Sequence, residues 1–314
     1  MRVLLVHNPT SGDDEHAGEQ ITRLIADAGY EVAYHLSKTD WWQGLDRSVE
    51  LVAIAGGDGT VGEVARATAG HSIPMAILPT GTANNIATWL GLLGRPLAEL
   101  VAEWSSAVHR PFDFGVARGP WGEFRFLESV GIGLLAEMMS AIDAGEAGWV
   151  NDLSRREMRI SAALDVLGGV LNDSSGIGCD LELDGQRMSG EYLLIEILNF
   201  GAAGPNLALA PDADCGDGLL DIVLVEAHER DLLEAHLTAV RAGNDDVPQL
   251  PIRHARHVFA EFVPSRLHLD DELWTADAGP DRIRAAITLQ AGALEFLVPA
   301  RSGRTRPVSR DAGG

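Results

Sequence analysis

Leu51-Val52-Ala53-Ile54-Ala55-Gly56-Gly57-Asp58-Gly59-Thr60 decides the fold. An apolar run rich in β-formers stops at a glycine-rich turn, and the apolar positions then switch to helical spacing at Val61, Val64 and Ala65. The order is strand, tight turn, helix. Glycines let the backbone bend through φ > 0 and let a ligand come close, while the helix behind aims its unpaired N–H groups and positive dipole end at the turn. Such a turn suits phosphate. The same residues also make a tight connection with no ligand, so a second observation has to choose.

That observation follows in the next strand. Met75-Ala76-Ile77-Leu78 is a short apolar strand, Pro79-Thr80-Gly81-Thr82-Ala83-Asn84 a polar turn, and Ile86 to Leu93 a helical pattern. Ahead of both, Val3 to Val6 is a strand entering Asn8-Pro9-Thr10-Ser11-Gly12, which either faces the same ligand or forms an Asx-type turn. Ile21, Leu24, Ile25 and Ala28 predict an amphipathic helix closed by Gly29, and Glu31 to Leu36 a second strand ending at Ser37-Lys38-Thr39. Strands alternating with helices to residue 108 predict an α/β, doubly wound, Rossmann-like parallel sheet with its crevice at the strand C-terminal ends. All of these turns fall at such ends. Lys38 is the only lysine in the chain and none follows the glycines, so this is not a P-loop. Phosphate charge must be met by backbone dipoles, Mg²⁺ or arginine.

The pattern changes near Pro111. Phe112, Phe114 and Val116 alternate, Gly119-Pro120-Trp121-Gly122 turns, and Phe124 and Phe126 alternate again, so a β-rich domain begins here. Asp180 to Asp184 and Tyr192 to Leu198 continue it. Asp212, Asp214, Asp217 and Asp221 cluster around a glycine turn that runs into the strand Ile222 to Val225. Oxygen donors so grouped suit a hard cation, but the spacing is not that of an EF-hand and by itself favours a polar hairpin entry. Glu229 to Ala242 reads as a helix, Asp270-Asp271-Glu272 interrupts a β alternation, and Arg301 to Gly314 is expected to be a disordered tail.

At 314 residues two domains are the default, and 46% hydrophobic residues make the chain globular. No apolar run reaches the ~18 residues of a membrane span, and the N-terminus does not read as a signal peptide, so a cytoplasmic protein is expected. Cys179 and Cys215 read as free thiols. The net charge of −22 argues against nucleic acid and sits awkwardly with an anionic membrane surface. Three groups of basic residues could relieve that locally, or be ordinary solvated faces: Arg155, Arg156 and Arg159; Arg253 and Arg256; and Arg301, Arg304, Arg306 and Arg310.

Gly56 to Thr60 taken with Pro79-Thr80-Gly81-Thr82-Ala83-Asn84-Asn85-Ile86-Ala87 resembles the catalytic domain of the diacylglycerol kinase and sphingosine kinase superfamily, in its bacterial soluble lipid kinase branch. NAD kinases and phosphofructokinases are its more distant relatives. The resemblance implies an NAD kinase-type domain over 1–110, completed by a segment near 290–300, and a β-sandwich substrate domain over 111–299. It implies transfer of the γ-phosphoryl group of ATP to the hydroxyl of a diacylglycerol-like or sphingoid lipid, with transient contact to a membrane surface. The nucleotide would lie among Asn8, Thr10, Ser37, Gly57, Asp58, Gly59, Thr60, Glu63, Thr80, Gly81, Thr82 and Asn84. Asp58 and Asp270 are rival general bases, with Glu272 beside the second; Asp58 is equally a holder of Mg²⁺. A structural Mg²⁺ is implied at Asp217 with the backbone carbonyls of Asp212 and Leu219. Three residues depart from the family pattern: Asn85 stands where Asp is usual, Glu128 where Asn is usual, and Asp271 where Gly is usual. A kinase of a soluble molecule such as NAD, and a non-catalytic nucleotide- or lipid-binding regulator, are the competing readings. Oligomeric state stays open, a homodimer included.

Overall fold

Strands β1 (Arg2–His7), β2 (Glu31–Leu36), β3 (Leu51–Gly56) and β4 (Met75–Pro79) lie parallel in the spatial order β2-β1-β3-β4. The computed structural model describes residues 1–11, 18–45, 48–143, 145, 147, 150, 156–275 and 281–300. Every residue of β3 is buried, as a central parallel strand covered on both faces requires. Helices α1 (Gly18–Asp27) and α4 (Leu97–Glu103) pack together, as do α2 (Asp58–Thr68) and α3 (Asn85–Trp89). From β1 the chain moves outward to β2, then returns to the other side of β1 as β3. That reversal is where open α/β sheets place a ligand, just outside the strand carboxyl ends.

The remaining sheet is antiparallel apart from one pairing of its last strand. It comprises β5 (Val108–Gly119), β6 (Gly122–Phe126), β7 (Ser129–Gly133), β8 (Ile177–Leu183), β9 (Gln186–Leu198), β12 (Leu220–Glu226), β13 (Ile252–Ala255), β14 (His257–Phe262), β15 (Arg266–Leu269), β16 (Glu272–Thr275) and β17 (Ile283–Val298), with β10 (Ala202–Ala203) and β11 (Leu207–Ala208) as a separate pair. Helices α5 (Leu134–Asp143), α6 (Arg156–Asp173) and α7 (Arg230–Arg241) cover one side. Period-two alternation divides the strands between two cores: Ile195, Ile197, Ile222 and Leu224 enter the all-β core, whereas Leu194, Leu198, Val223 and Val225 pack under the helices. The β8–β9 hairpin turns on Asp184 and Gly185 at φ 47° and 89°, the paired left-handed conformation a two-residue turn favours.

β17 joins the two regions. Its first half pairs with β14 and β5, its register shifts between Gln290 and Leu294, and Phe296 then lies beside Met75 of β4. Buried Asp113 of β5 holds that shift by accepting the Gly292 N–H (2.6 Å) and, from the acidic loop, the Gly218 N–H (2.7 Å). Among the described residues no helix is long and apolar enough to cross a membrane. Gly12, Arg155, the arginines of 301–310 and the disorder expected of residues 301–314 lie outside the described residues.

Candidate active site

The turns after β1, β3 and β4 are hydrogen-bonded into one cradle. Asn8 Nδ2 donates to Thr60 Oγ1 (3.1 Å), while Asn8 Oδ1 accepts from the Thr10 N–H (3.1 Å) and hydroxyl (2.8 Å). The Ser11 and Thr80 hydroxyls lie 3.0 Å apart, and the Thr80 N–H donates to Gly56 O at 3.2 Å. Gly57 and Gly81 are needed for contact rather than for φ, since a Cβ on Gly81 would fall 2.2 Å from Gly57 Cα. Asn84, at φ 50°, folds its side chain onto Gly81, accepting that N–H at 3.1 Å and donating to the carbonyl at 2.6 Å. The N-cap of α2 is Gly57 with no side-chain cap, so its first turn is open to an anion.

Asp58 bridges two of these turns. Its Oδ2 accepts the Asn85 N–H (2.8 Å) and its Oδ1 the Ile86 N–H (3.0 Å), so it caps α3 from the start of α2. Ser37 is buried at the end of β2, its Oγ without a hydrogen-bond partner. Lys38 reaches Glu63 of α2 at 3.9 Å, which brings the only lysine to the rim of the cradle although it lies far from the glycines in sequence.

The β15–β16 hairpin overhangs the cradle. Asp270, at φ 52°, turns its carboxylate inward: Oδ1 accepts the N–H groups of Glu128 (2.8 Å), Leu127 (3.2 Å) and Ser129 (3.3 Å), and Oδ2 lies 3.3 Å from Arg66 Nη1. Burial nevertheless outweighs these partners and pushes its carboxyl up to about 6. Behind it, buried His268 Nδ1 faces Asp270 O (3.0 Å) and Nε2 faces Glu196 Oε2 (3.2 Å). Both partners can accept from a ring N–H; burial lowers the His268 pKa but the Glu196 carboxylate more than reverses this, which favours the cationic ring. It is Asp271, not Asp270, that meets the glycine turn, since a Cβ on Gly59 would lie 2.5 Å from Asp271 Oδ2. Glu272 is exposed at the start of β16.

Asn85 and Glu128 touch. Asn85 Nδ2 donates to Glu128 Oε2 (2.8 Å) and to Gly204 O (2.9 Å). Burial, then the charges of Asp58 and Asp270, push the Glu128 carboxyl well above the usual range.

In the acidic loop, Asp217 Oδ1 accepts the Leu219 N–H (2.9 Å), Asp214 pairs with Arg110 (3.2 Å) and Asp221 with His254 (3.1 Å). No group of three or more His, Cys, Asp or Glu side chains is arranged as metal ligands among the described residues. A site of one carboxylate and backbone carbonyls is of a different kind and stays compatible with that. Both cysteines are free and buried, which pushes each thiol up to about 12. Sequence reasoning missed Arg66, Glu196 and His268, for which no local motif exists. Asn85, Glu128 and Asp271 were legible only as departures.

Fold and site together are those of a phosphotransferase with an alcohol group as acceptor, as comparison with known proteins shows. The diacylglycerol kinase catalytic domain family matches residues 2–117, and the YegS C-terminal NAD kinase beta sandwich-like domain matches residues 136–272. The diacylglycerol kinase of Bacillus subtilis (strain 168) is 25% identical over 238 residues, 72% of this chain and 74% of the relative. A probable lipid kinase YegS-like protein of Xanthomonas oryzae pv. oryzae (strain MAFF 311018) is 30% identical over 245 residues, 71% of this chain and 72% of its own. The chain belongs to the diacylglycerol kinase catalytic-domain family. A crystal structure of a diacylglycerol kinase from Bacillus anthracis str. Sterne shares the fold, with a TM-score of 0.69 at 20% identity over 95% of this chain and 96% of that one.

Proposed function

We propose that this chain is a lipid kinase that transfers the γ-phosphoryl group of ATP to the hydroxyl of a diacylglycerol-like or sphingoid lipid. The observation that carries the reading is the single cradle made by three strand-end turns, with the β15–β16 hairpin set on its glycines. Phosphoryl transfer asks mainly for positioning and charge neutralisation. Backbone N–H groups at Gly57 and Gly59 and the α2 dipole would receive the phosphates, with Gly81 leaving room for their close approach. Asn8, Thr10, Ser37, Thr60, Thr80, Thr82 and Asn84 would surround the rest of the nucleotide, and Lys38 with Glu63 its edge. Asp58 would hold the second turn in register with the first. Asp270 would act as a positioning carboxylate that seats Asp271 against Gly59.

The donor set of the acidic loop fits Mg²⁺. Burial and then the neighbouring carboxylates push the Asp217 and Asp113 carboxyls up, a penalty on their charged forms that a bound hard cation would offset. Asp217 with the carbonyls of Asp212 and Leu219 would hold it. Bound there, Mg²⁺ supplies rigidity to the loop; the Mg²⁺ that accompanies ATP supplies phosphate charge neutralisation.

The net charge of −22 favours a second reading, in which the acceptor is soluble, NAD for example. ADP release over diacylglycerol, sphingosine, ceramide, phosphatidylglycerol and NAD decides between them, with vesicle sedimentation alongside. Turnover of at least one lipid is expected. NAD turnover alone would establish the second reading, and Mg-ATP binding without ADP release from any acceptor would leave a nucleotide- or lipid-binding regulator.

A further inference from the structure

We propose that His268, held across Gly131 by Glu196, is a positioning residue that fixes the Asp270–Asp271 peptide and so keeps the Asp271 carboxylate on the glycine turn; this rests on the phosphoryl-transfer reading above. The three residues stand side by side on adjacent strands. Gly131 of β7 is in register with Glu196 of β9 on one side and with His268 of β15 on the other. Two strand spacings, roughly 10 Å, separate the outer two. Glycine at the centre leaves a trough in which their side chains meet, Nε2 to Oε2 at 3.2 Å, and a Cβ there would fall 2.1 Å from His268 Nε2 and 2.2 Å from Glu196 Oε2.

Packing does not call for this pair. Both side chains are buried, and apolar groups of similar volume often fill such a place at equal or lower cost. What apolar groups cannot provide is the second ring nitrogen. With Nε2 turned to Glu196, Nδ1 faces Asp270 O at 3.0 Å, and the Glu196 carboxylate favours the ring form in which both nitrogens carry hydrogen.

That carbonyl belongs to a residue whose backbone has to be held. Asp270 sits at φ 52°, a left-handed conformation that persists only where the surroundings impose it. Ser129 O accepts its N–H at 2.9 Å and the amides of residues 127–129 hold its carboxylate, so His268 supplies the tie on the carbonyl. The carbonyl sets the plane of the peptide leading into Asp271, whose Oδ2 lies 2.5 Å from where a Cβ on Gly59 would stand. Without that tie the hairpin tip is free to tilt from the cradle. An alcohol presented by the β-rich half then loses its fixed distance to the phosphates, on which phosphoryl transfer depends.

The test removes the tie while keeping the fold. His268→Leu/Glu196→Met should melt close to wild type and bind Mg-ATP within about threefold, yet lose about tenfold or more in kcat toward the alcohol that wild type phosphorylates best. Native-state hydrogen exchange of the Asp270 amide should quicken by about tenfold, the worth of one hydrogen bond. Two further variants decide the point even if the Leu/Met chain does not fold. His268→Asn/Glu196→Gln places an amide nitrogen near the former Nδ1 and should recover most of the kcat and the protection, whereas His268→Gln/Glu196→Gln places one near the former Nε2 and should recover neither. Equal kcat and equal exchange in the Asn and Gln variants, or wild-type values of both in the Leu/Met chain, overturn the inference. If wild type phosphorylates no alcohol, it is the lipid kinase reading that fails, and the exchange rates alone then decide whether His268 holds the hairpin.

Discussion

The Asp270 carboxylate gives the sharpest quantitative prediction. Asp270→Ala would leave three backbone N–H groups, those of Leu127, Glu128 and Ser129, without their acceptor and Arg66 without its partner. Orphaned buried donors cost about 1–3 kcal/mol each and a broken buried ion pair about as much or more, with partial relaxation, so a net loss of about 3–5 kcal/mol is expected. Asp270→Asn keeps one acceptor and removes the charge. Burial raises the carboxyl from 3.8 to about 6, so the folded state holds this proton more tightly than the unfolded chain does. Its contribution to stability is therefore full below the unfolded value and declines as pH rises toward 6. A shift of about two units corresponds to about 3 kcal/mol. Urea unfolding of wild type and Asp270→Asn at pH 4.5 and 7.5 should then show the wild-type advantage shrinking as pH rises. Parallel pH dependences for the two proteins, or a loss under about 1 kcal/mol for Asp270→Ala, would refute the reasoning.

Gly81→Ala should destabilise by about 1–3 kcal/mol and weaken Mg-ATP binding, because its Cβ would drive the β3 and β4 turns apart; thermal melts and nucleotide titration check both. Asn8→Ala removes the tie to Thr60 and should raise the KM for ATP by about fivefold with kcat little changed, read from steady-state kinetics. Mg²⁺ should raise the melting temperature of wild type, whereas Asp217→Asn should show a much smaller rise. His268→Ala would bury Glu196 without its cation and should cost about 3–5 kcal/mol. The contribution of the raised His268 pKa should fade as alkaline pH deprotonates the imidazole, checked by denaturation against pH.

How far the chain could be read follows from the range of the interactions involved. The strand Leu51–Gly56 and the helix behind it were legible because hydrophobic period and glycine chemistry act over a few residues, although the helix begins at Asp58, inside the stretch read as turn. Glu31–Leu36 matched to the residue, and Glu229–Ala242 holds a helix running Arg230–Arg241. Asp58 and Asp270 were likewise visible as carboxylates in informative places. What they do was not. Asp58 caps a helix that starts 27 residues later, and Asp270 holds backbone from 143 residues earlier, so neither partner lies within any local window.

The sequence by itself determined the α/β order, the three polar turns at strand ends and the family, since each depends on short-range pattern. Tertiary structure alone decided that the turns tie to one another through Asn8, Thr60, Ser11 and Thr80. It also decided that Asp271 rather than Asp270 meets Gly59, and that Asn85 and Glu128 are partners. The physical reason is that hydrogen bonds and buried charge are settled by proximity in space, and strand pairing brings together residues whose separation along the chain carries no signal.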